Sequence, residues 1–169
     1  MNVRVARPAD AEAMARVHWL SSNTAYRRDD PFERRLATTR EAFELEHVRP
    51  FLVEDDTGAV IGVAILSDDE LYALYVHPDW WGRGAGQLLI DEVHRALAET
   101  TDEAELTVLV TNARARRFYE RNGWELREEV TEPHFGGVPT GVAKYRKRFE
   151  RVTPSRDVRT DGGGQPEGR

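Results

Sequence analysis

The residues with the clearest chemical potential form a glycine-rich turn in the middle of the chain. Gly82, Gly84 and Gly86 lie between an apolar stretch ending at Val76 and a helical pattern that includes Leu89. The first N–H groups of a helix have no intrahelical acceptor and lie at the positive end of its dipole. Because glycine has no side chain, an anion such as a phosphate can approach them closely. The turn predicts an anion cradle, and a tight turn that merely needs glycine is an equally good explanation.

Two common phosphate-binding loops do not fit this turn. A Walker loop ends in Gly-Lys-Ser/Thr, whereas Gln87 and Leu88 follow Gly86. The dinucleotide fingerprint G-x-G-x-x-G would need glycine where Gln87 stands, and the next strand ends at Val110 and Thr111 without an acidic residue for a ribose. Both kinds of nucleotide site are therefore disfavoured.

Two segments resemble the cofactor motifs of the GNAT superfamily of N-acetyltransferases. Residues 74–89, L-Y-V-H-P-D-W-W-G-R-G-A-G-Q-L-L, are similar to its motif [RQ]-x-x-G-x-[GA] after a strand ending in V-x-P, with Trp81 in place of Arg or Gln. Residues 112–124, N-A-R-A-R-R-F-Y-E-R-N-G-W, are similar to N-x-x-A-x-x-F-Y-x-x-x-G-F, with Trp124 replacing the last Phe. Two motifs in the expected order make the resemblance far more specific than the glycines alone.

The resemblance implies an α/β fold of the GNAT acyl-CoA N-acyltransferase type over residues 1–150, a mixed, mostly antiparallel sheet flanked by helices. It implies transfer of an acetyl group from acetyl-CoA to a primary amine of a small molecule or a protein. The transfer would be direct, because the chain has no cysteine to carry the acyl group. The alternative is a noncatalytic acyl-CoA-binding or interaction module of the same fold, which the departure at Trp81 favours.

The resemblance also assigns acetyl-CoA-binding residues. The end of the strand before the turn would pair with the pantetheine arm, and the turn would bind the pyrophosphate. The implied residues are Leu74, Tyr75, Val76, Trp81, Gly82, Arg83, Gly84, Ala85, Gly86, Gln87, Leu88, Asn112, Ala115, Phe118 and Tyr119. For Asn112, a plain helix cap explains the residue equally well.

Two residues are candidates for proton transfer. By the resemblance, Tyr119 is the general acid that protonates the departing thiolate, since a phenol keeps its proton at neutral pH. Glu70 is the candidate base for the amine, and strand alternation places it on one face with Tyr72, Leu74 and Val76. The alternatives are an apolar helix face for Tyr119, and a solvated turn carboxylate for Glu70 with water as the base.

Three further residues are predicted to line the acceptor site. The family builds this pocket from its first two helices and from the loop before the last strand, which points to Trp19, Tyr26 and His134. Core packing is the stronger explanation for Trp19. No metal site is predicted, because His77 and Asp79 have no third ligand at a credible spacing.

Hydrophobic spacing predicts the elements that must hold these residues. Residues 59–66 are apolar on both faces, which predicts a central strand, and the turn at residues 55–58 joins it to the preceding strand. Leu89, Val93 and Leu97 recur at helical spacing after the glycine turn. The predicted order is β α α β β β α β α β β, a layered α/β architecture with one parallel crossover.

Composition narrows the remaining function classes. The 169 residues carry 24 basic and 30 acidic side chains, a net charge of -6, which disfavours a nucleic-acid partner. No apolar run approaches the roughly 20 residues that cross a bilayer, so neither a membrane partner nor a signal peptide is expected, and we expect a cytoplasmic protein. Residues 151–169, rich in Gly, Pro and charge, predict a disordered tail. A homodimer is compatible with an exposed terminal strand.

Overall fold

The computed structural model describes residues 1–26, 30–134 and 138–150, apart from the side chains of residues 132–134 and 138. The predicted order β α α β β β α β α β β is confirmed. The strands are β1 (Asn2–Val5), β2 (Val48–Glu54), β3 (Val60–Ser67), β4 (Glu70–Val76), β5 (Glu103–Leu109), β6 (Glu125–His134) and β7 (Val138–Arg148). The helices are α1 (Ala11–Tyr26), α2 (Phe32–Ala42), α3 (Ala85–Ala98) and α4 (Ala113–Arg121).

The strands form one mixed sheet in the order β1-β2-β3-β4-β5-β7-β6. β3 has a strand on each side, as its two apolar faces predict. β4 and β5 are the parallel pair, and in the described residues they pair at one position, Glu70 with Glu105. β4 remains paired with β3 as far as Val76. Beyond Glu70, the side of β4 that faces β5 therefore lacks a neighbouring strand, and its backbone groups are available to a ligand, except for the Val76 carbonyl, which accepts a hydrogen bond from Trp81.

Helices cover both faces of the sheet. On the face of α1 and α2, called the α1 face, Met14 and Val17 pack with Leu52 and Val63. On the opposite face, called the α3 face, the core includes Leu89, Val93 and Leu97 of α3, Tyr119 of α4 and Leu106 of β5. The two layers fix β4 and β5 between them, so the gap between these strands is a stable feature of the fold.

A β-bulge interrupts β4. Ile65 of β3 pairs with Ala73, and the next residue, Leu66, pairs with Leu71. Tyr72 is therefore an extra residue with no opposite partner. A bulge of this kind reverses the alternation of side chains beyond it.

The bulge corrects one prediction about the site. Simple alternation predicts that Glu70, Tyr72, Leu74 and Val76 share one face, and this grouping is wrong. Leu71 packs in the α3-face core together with Val76, and Leu74 packs against that core. Glu70, next to Leu71, therefore faces the α1 side, and Tyr72 is 67% exposed.

Some segments of the chain are not described by the structure. Residues 135–137 and the predicted tail at 151–169 are not among the described residues, so the tail stays a prediction. No helix of the described chain is both long and apolar enough to cross a membrane. The described residues also contain no group of three His, Cys, Asp or Glu side chains placed to hold a metal ion.

Candidate active site

A cavity of about 1470 Å³ opens where β4 and β5 diverge. Its wall is built from α1, α2, β4, the glycine turn, β5 and α4. Predicted acetyl-CoA residues on this wall are Leu74, Tyr75, Val76, Trp81, Gly82, Gly84, Gly86, Gln87, Asn112, Ala115, Phe118 and Tyr119. Arg83, Ala85 and Leu88 are not on the wall. The structure thus brings both sequence motifs to one cleft.

The glycine turn has the conformation and the open donors of an anion cradle. Gly82 and Gly84 have positive φ angles of 76° and 91°, which favour glycine. Gly84 caps α3, and Leu88 donates the first helical hydrogen bond, to the Gly84 carbonyl at 3.1 Å. Among the described residues, the N–H groups of the three residues between them, Ala85 to Gln87, have no acceptor. A phosphate fits this set of donors.

Tyr119 lines the same cavity. It is 8% exposed, and its ring packs edge-on against Phe118 and Trp124. Burial, reinforced by the nearby Tyr75 and Tyr26, raises the pKa of Tyr119. Its hydroxyl has no hydrogen-bond partner among the residues that the structure describes. Tyr119 therefore holds a phenolic proton at neutral pH and lines the space that a ligand would occupy.

Glu70 lies on the cavity wall at the start of β4, half-buried. Burial raises the pKa of Glu70, and the neighbouring carboxylates Glu105 and Asp69 raise it further. Within the described ranges no basic side chain forms an ion pair with Glu70. A carboxylate in this setting has an increased affinity for a proton, which is the property that a general base needs.

A family model supplies the deciding observation. The model described as Acetyltransferase (GNAT) family matches residues 12–124, which is more than half of the chain and includes both cofactor motifs. The chain belongs to the GNAT acetyltransferase family. A comparison with curated protein sequences gave no match.

Solved structures agree with this GNAT fold. The GCN5-related N-acetyltransferase from Rhodopseudomonas palustris superposes with a TM-score of 0.70 at 22% identity, covering 88% of this chain and 95% of that one. A chimera of the spermidine N-acetyltransferase SpeG from Vibrio cholerae and hSSAT gives 0.69 at 20% identity, covering 87% and 94%. Apo YjaB from Escherichia coli gives 0.68 at 17% identity, covering 88% and 98%. At these sequence identities, the similarity shows a shared fold and not a shared substrate.

Trp81, the departure from the GNAT motif, has two contacts of its own. Its indole N–H donates a hydrogen bond to the Val76 carbonyl at 2.7 Å. The guanidinium of Arg114 lies 4.1 Å from the centre of the Trp81 ring, in the range of a cation–π contact. Burial lowers the pKa of Arg114, and both side chains are on the cavity wall. Trp81 therefore braces the end of β4 and holds a cation beside the cleft.

Asn112 connects the two sides of the cleft. Its carbonyl oxygen accepts a hydrogen bond from the Ala115 N–H at 3.1 Å and so caps α4. Its amide group donates to the Tyr26 hydroxyl at 3.0 Å. Asn112 is thus a helix cap that also holds the end of α1 against the start of α4.

The three predicted acceptor residues have different positions in this GNAT protein. Tyr26 lies on the cavity wall. Trp19 does not, because its indole N–H donates to the Asp30 carbonyl at 2.5 Å and its ring packs edge-on against Phe32. Trp19 therefore joins α1 to the start of α2. His134 ends β6, and its side chain lies outside the description.

Two residues of the cavity wall, His18 and Arg35, were not predicted from the sequence. His18 of α1 is buried and its ring stacks on Tyr75, with 4.0 Å between ring centres. Its position, one helical turn after the buried Met14, places a polar side chain on an apolar face and was a detectable signal. Arg35 of α2 lines the cavity near His18. No sequence signal separates Arg35 from the other arginines of α2.

Two histidines, the buried His18 and the half-buried His94, are neutral in the folded protein. Burial, followed by the nearby Arg35, lowers the pKa of His18 from 6.5 to about 3. Burial, followed by Lys147, lowers the pKa of His94 to about 4. The Nε2 atom of His94 accepts a hydrogen bond from the Trp124 indole at 3.0 Å, which requires an unprotonated ring nitrogen.

We expect these histidines to make the fold sensitive to acid. Below pH 6.5, His18 binds a proton in the unfolded chain but not in the folded protein. The free energy of unfolding is therefore highest above pH 6.5 and falls as the pH drops towards about 3. The slope approaches about 1.4 kcal/mol per pH unit for His18. In urea unfolding from pH 7.5 to 5, His18→Phe should reduce this slope, whereas the exposed control His47→Gln should not. Equal slopes in His18→Phe and the parent protein would contradict the assignment.

Proposed function

We propose that this GNAT family member transfers the acetyl group of acetyl-CoA directly to a primary amine of a small molecule or a protein. The observation that carries the proposal is a shared cleft. Gly86 and Gln87, whose N–H groups have no described acceptor, line the same cavity as the Tyr119 hydroxyl, where β4 has no neighbouring strand on one side. Anion binding and proton donation are thus available beside each other.

The chain's own groups supply the binding contacts. The N–H groups of Gly86 and Gln87 bind the pyrophosphate, and Arg114, which lies against the Trp81 ring, adds a positive charge at the same end of the cleft. The backbone groups of β4 that face β5, apart from the Val76 carbonyl bonded to Trp81, pair with the amides of the pantetheine arm. These contacts hold the acyl donor between β4 and α4.

Two side chains then accept and donate the protons that the transfer requires. Bound acetyl-CoA supplies an electrophilic thioester carbonyl and a thiol leaving group. Glu70, directly or through water, accepts the proton that the acceptor amine must lose before its nitrogen forms the new C–N bond. As the C–S bond breaks, Tyr119 donates its phenolic proton to the leaving sulfur and regains one from solvent. The products are an amide and a free thiol, and no covalent enzyme intermediate is needed.

The direct test is thioester consumption with a panel of primary amines, followed by release of free CoA. The panel includes spermidine, because the similar structures include a spermidine N-acetyltransferase. We expect amine-dependent CoA release that exceeds hydrolysis. Binding of acetyl-CoA by calorimetry with no release for any amine would favour the noncatalytic acyl-CoA-binding module instead.

Restoring the motif arginine is expected to weaken acetyl-CoA binding. Trp81→Arg removes the hydrogen bond to Val76 and places a second guanidinium beside Arg114. We expect the dissociation constant measured by calorimetry to rise about tenfold, or ~1.4 kcal/mol. Trp81→Phe, which keeps the stacking face, should have a smaller effect. Unchanged or tighter binding in Trp81→Arg would show that the indole is dispensable.

Loss of the Glu70 carboxylate is expected to produce a pH-dependent defect. Glu70→Gln should lower kcat/KM most at neutral pH, with partial recovery at higher pH because more of the acceptor arrives as the neutral amine. The control Asp68→Asn changes an exposed turn carboxylate nearby and should follow the parent profile. A Glu70→Gln profile parallel to the parent at every pH would assign the proton to water.

A further inference from the structure

Arg35 is a charged side chain without a described counter-ion. It is half-buried on α2 and lines the cavity. Its Nε atom is buried and has no hydrogen-bond partner, and within the described ranges no carboxylate forms an ion pair with its guanidinium. A guanidinium stays charged at all accessible pH values, and a buried donor without an acceptor destabilises the protein. An anion in the cavity would satisfy Arg35.

On the side of Arg35 that faces α1, the structure places the ring of His18. Burial and the charge of Arg35 lower the pKa of His18, so that His18 is neutral and does not add charge there. His18 in turn stacks on Tyr75 of β4, beside the open side of that strand. Arg34, on the same helix, adds a second, exposed guanidinium to the wall. This part of the wall therefore carries two guanidinium groups.

The unpaired acid of the cavity lies elsewhere on the wall. Glu70 is on the α1 face of β4, and the charges that act on it are the carboxylates Glu105 and Asp69 rather than Arg35. Glu70 and Arg35 thus face one cavity without neutralising each other. A ligand that carries one positive and one negative group would neutralise both.

We propose that the acceptor is a zwitterionic primary amine, an amino acid or a close analogue, whose carboxylate is bound by Arg35 while its amino group lies at Glu70. This assignment rests on the proposed acetyltransferase function. A planar guanidinium binds a carboxylate through two parallel hydrogen bonds, which also fixes the orientation of the amine. A polyamine would instead place a second positive charge against Arg35 and Arg34, which disfavours it.

The test compares matched acceptors. For several amino acids, kcat/KM is measured for the free acid, for its carboxamide and for the corresponding amine without the carboxylate, with spermidine as the polycation. We expect the free acids to exceed their carboxamides by tenfold or more, which is the usual scale for a hydrogen bond to a charged group. Equal values for the acid and its carboxamide, or a preference for spermidine, would overturn the assignment.

Variants of Arg35 separate recognition from folding. Arg35→Gln should lower kcat/KM tenfold or more for the free acids, mainly through KM, and leave the carboxamides and the affinity for acetyl-CoA nearly unchanged. Arg35→Lys should recover part of the loss, and Arg40→Gln, an exposed change on the same helix, should have no effect. An equal loss for every acceptor in Arg35→Gln would mean that Arg35 only supports the fold.

The outcomes distinguish the two proposals. Acetylation of amines without a preference for a carboxylate would overturn the zwitterion assignment and leave the acetyltransferase function standing. Binding of acetyl-CoA without acetylation of any amine would overturn the acetyltransferase function and this assignment together.

Discussion

Replacing Tyr119 by phenylalanine should lower turnover by about 10²-fold to 10⁴-fold, the usual contribution of a general acid. The change removes one oxygen from a ring that is otherwise packed against Phe118 and Trp124. Because the hydroxyl has no described hydrogen-bond partner, its loss breaks no contact within the described protein. Steady-state kinetics should therefore show a low kcat at nearly unchanged affinity for acetyl-CoA.

The control for Tyr119 is another tyrosine on the same wall. Tyr26→Phe removes a hydroxyl that accepts the hydrogen bond from Asn112, so it should affect stability or binding more than the chemical step. Thermal unfolding of both variants separates these effects. If Tyr119→Phe melted at a much lower temperature or lost acetyl-CoA binding, Tyr119 would be a packing residue, and the proton for the sulfur would have to come from water.

Gly86→Val should weaken acetyl-CoA binding by at least about 100-fold, or ~2.8 kcal/mol. A Cβ at Gly86 would lie 3.6 Å from the Phe118 ring and from Val76, an ordinary contact distance, so the backbone can accept it. The two methyl groups of valine must then extend into space where Gly86 lines the cavity, next to the open N–H donors. Calorimetry with acetyl-CoA measures the effect directly.

Gly86 is a cleaner probe of the cradle than Gly84. Gly84 has a positive φ of 91°, so any side chain there strains the backbone whether or not a ligand binds. Gly86 lies in the first turn of α3, where glycine is among the least favourable residues, so its replacement should not weaken the helix. Gly86→Ala should lie between the parent and Gly86→Val. Full affinity in Gly86→Val, with an intact fold, would rule out the cradle.

The order of elements was predictable because it depends on local patterns, whereas the common site of the two motifs was expected only from the resemblance to the GNAT family. Apolar spacing defines helices and strands, and the glycines mark a turn where a strand meets a helix. The bulge at Tyr72 was not predictable, since it is a property of the register between β3 and β4. The role of Trp81 was not predictable either, because its indole donates to a backbone carbonyl. The role of Arg35 was not predictable, because it depends on the lack of a hydrogen-bond acceptor at its buried Nε atom. Tertiary contacts decide such features.

The extra residue in β4 affects how this strand tolerates changes in length. Removing Tyr72 would make Ile65–Ala73 and Leu66–Leu71 consecutive pairs of a regular antiparallel register, so Glu70 would stay on the α1 side and Leu71 in the α3-face core. Because Tyr72 is also largely exposed, a one-residue deletion at this position should be tolerated better than one elsewhere in β4, where it would break the register with β3. When this chain is aligned with related sequences that lack the extra residue, leaving out the gap at position 72 would place a relative's acidic residue opposite Leu71 instead of Glu70.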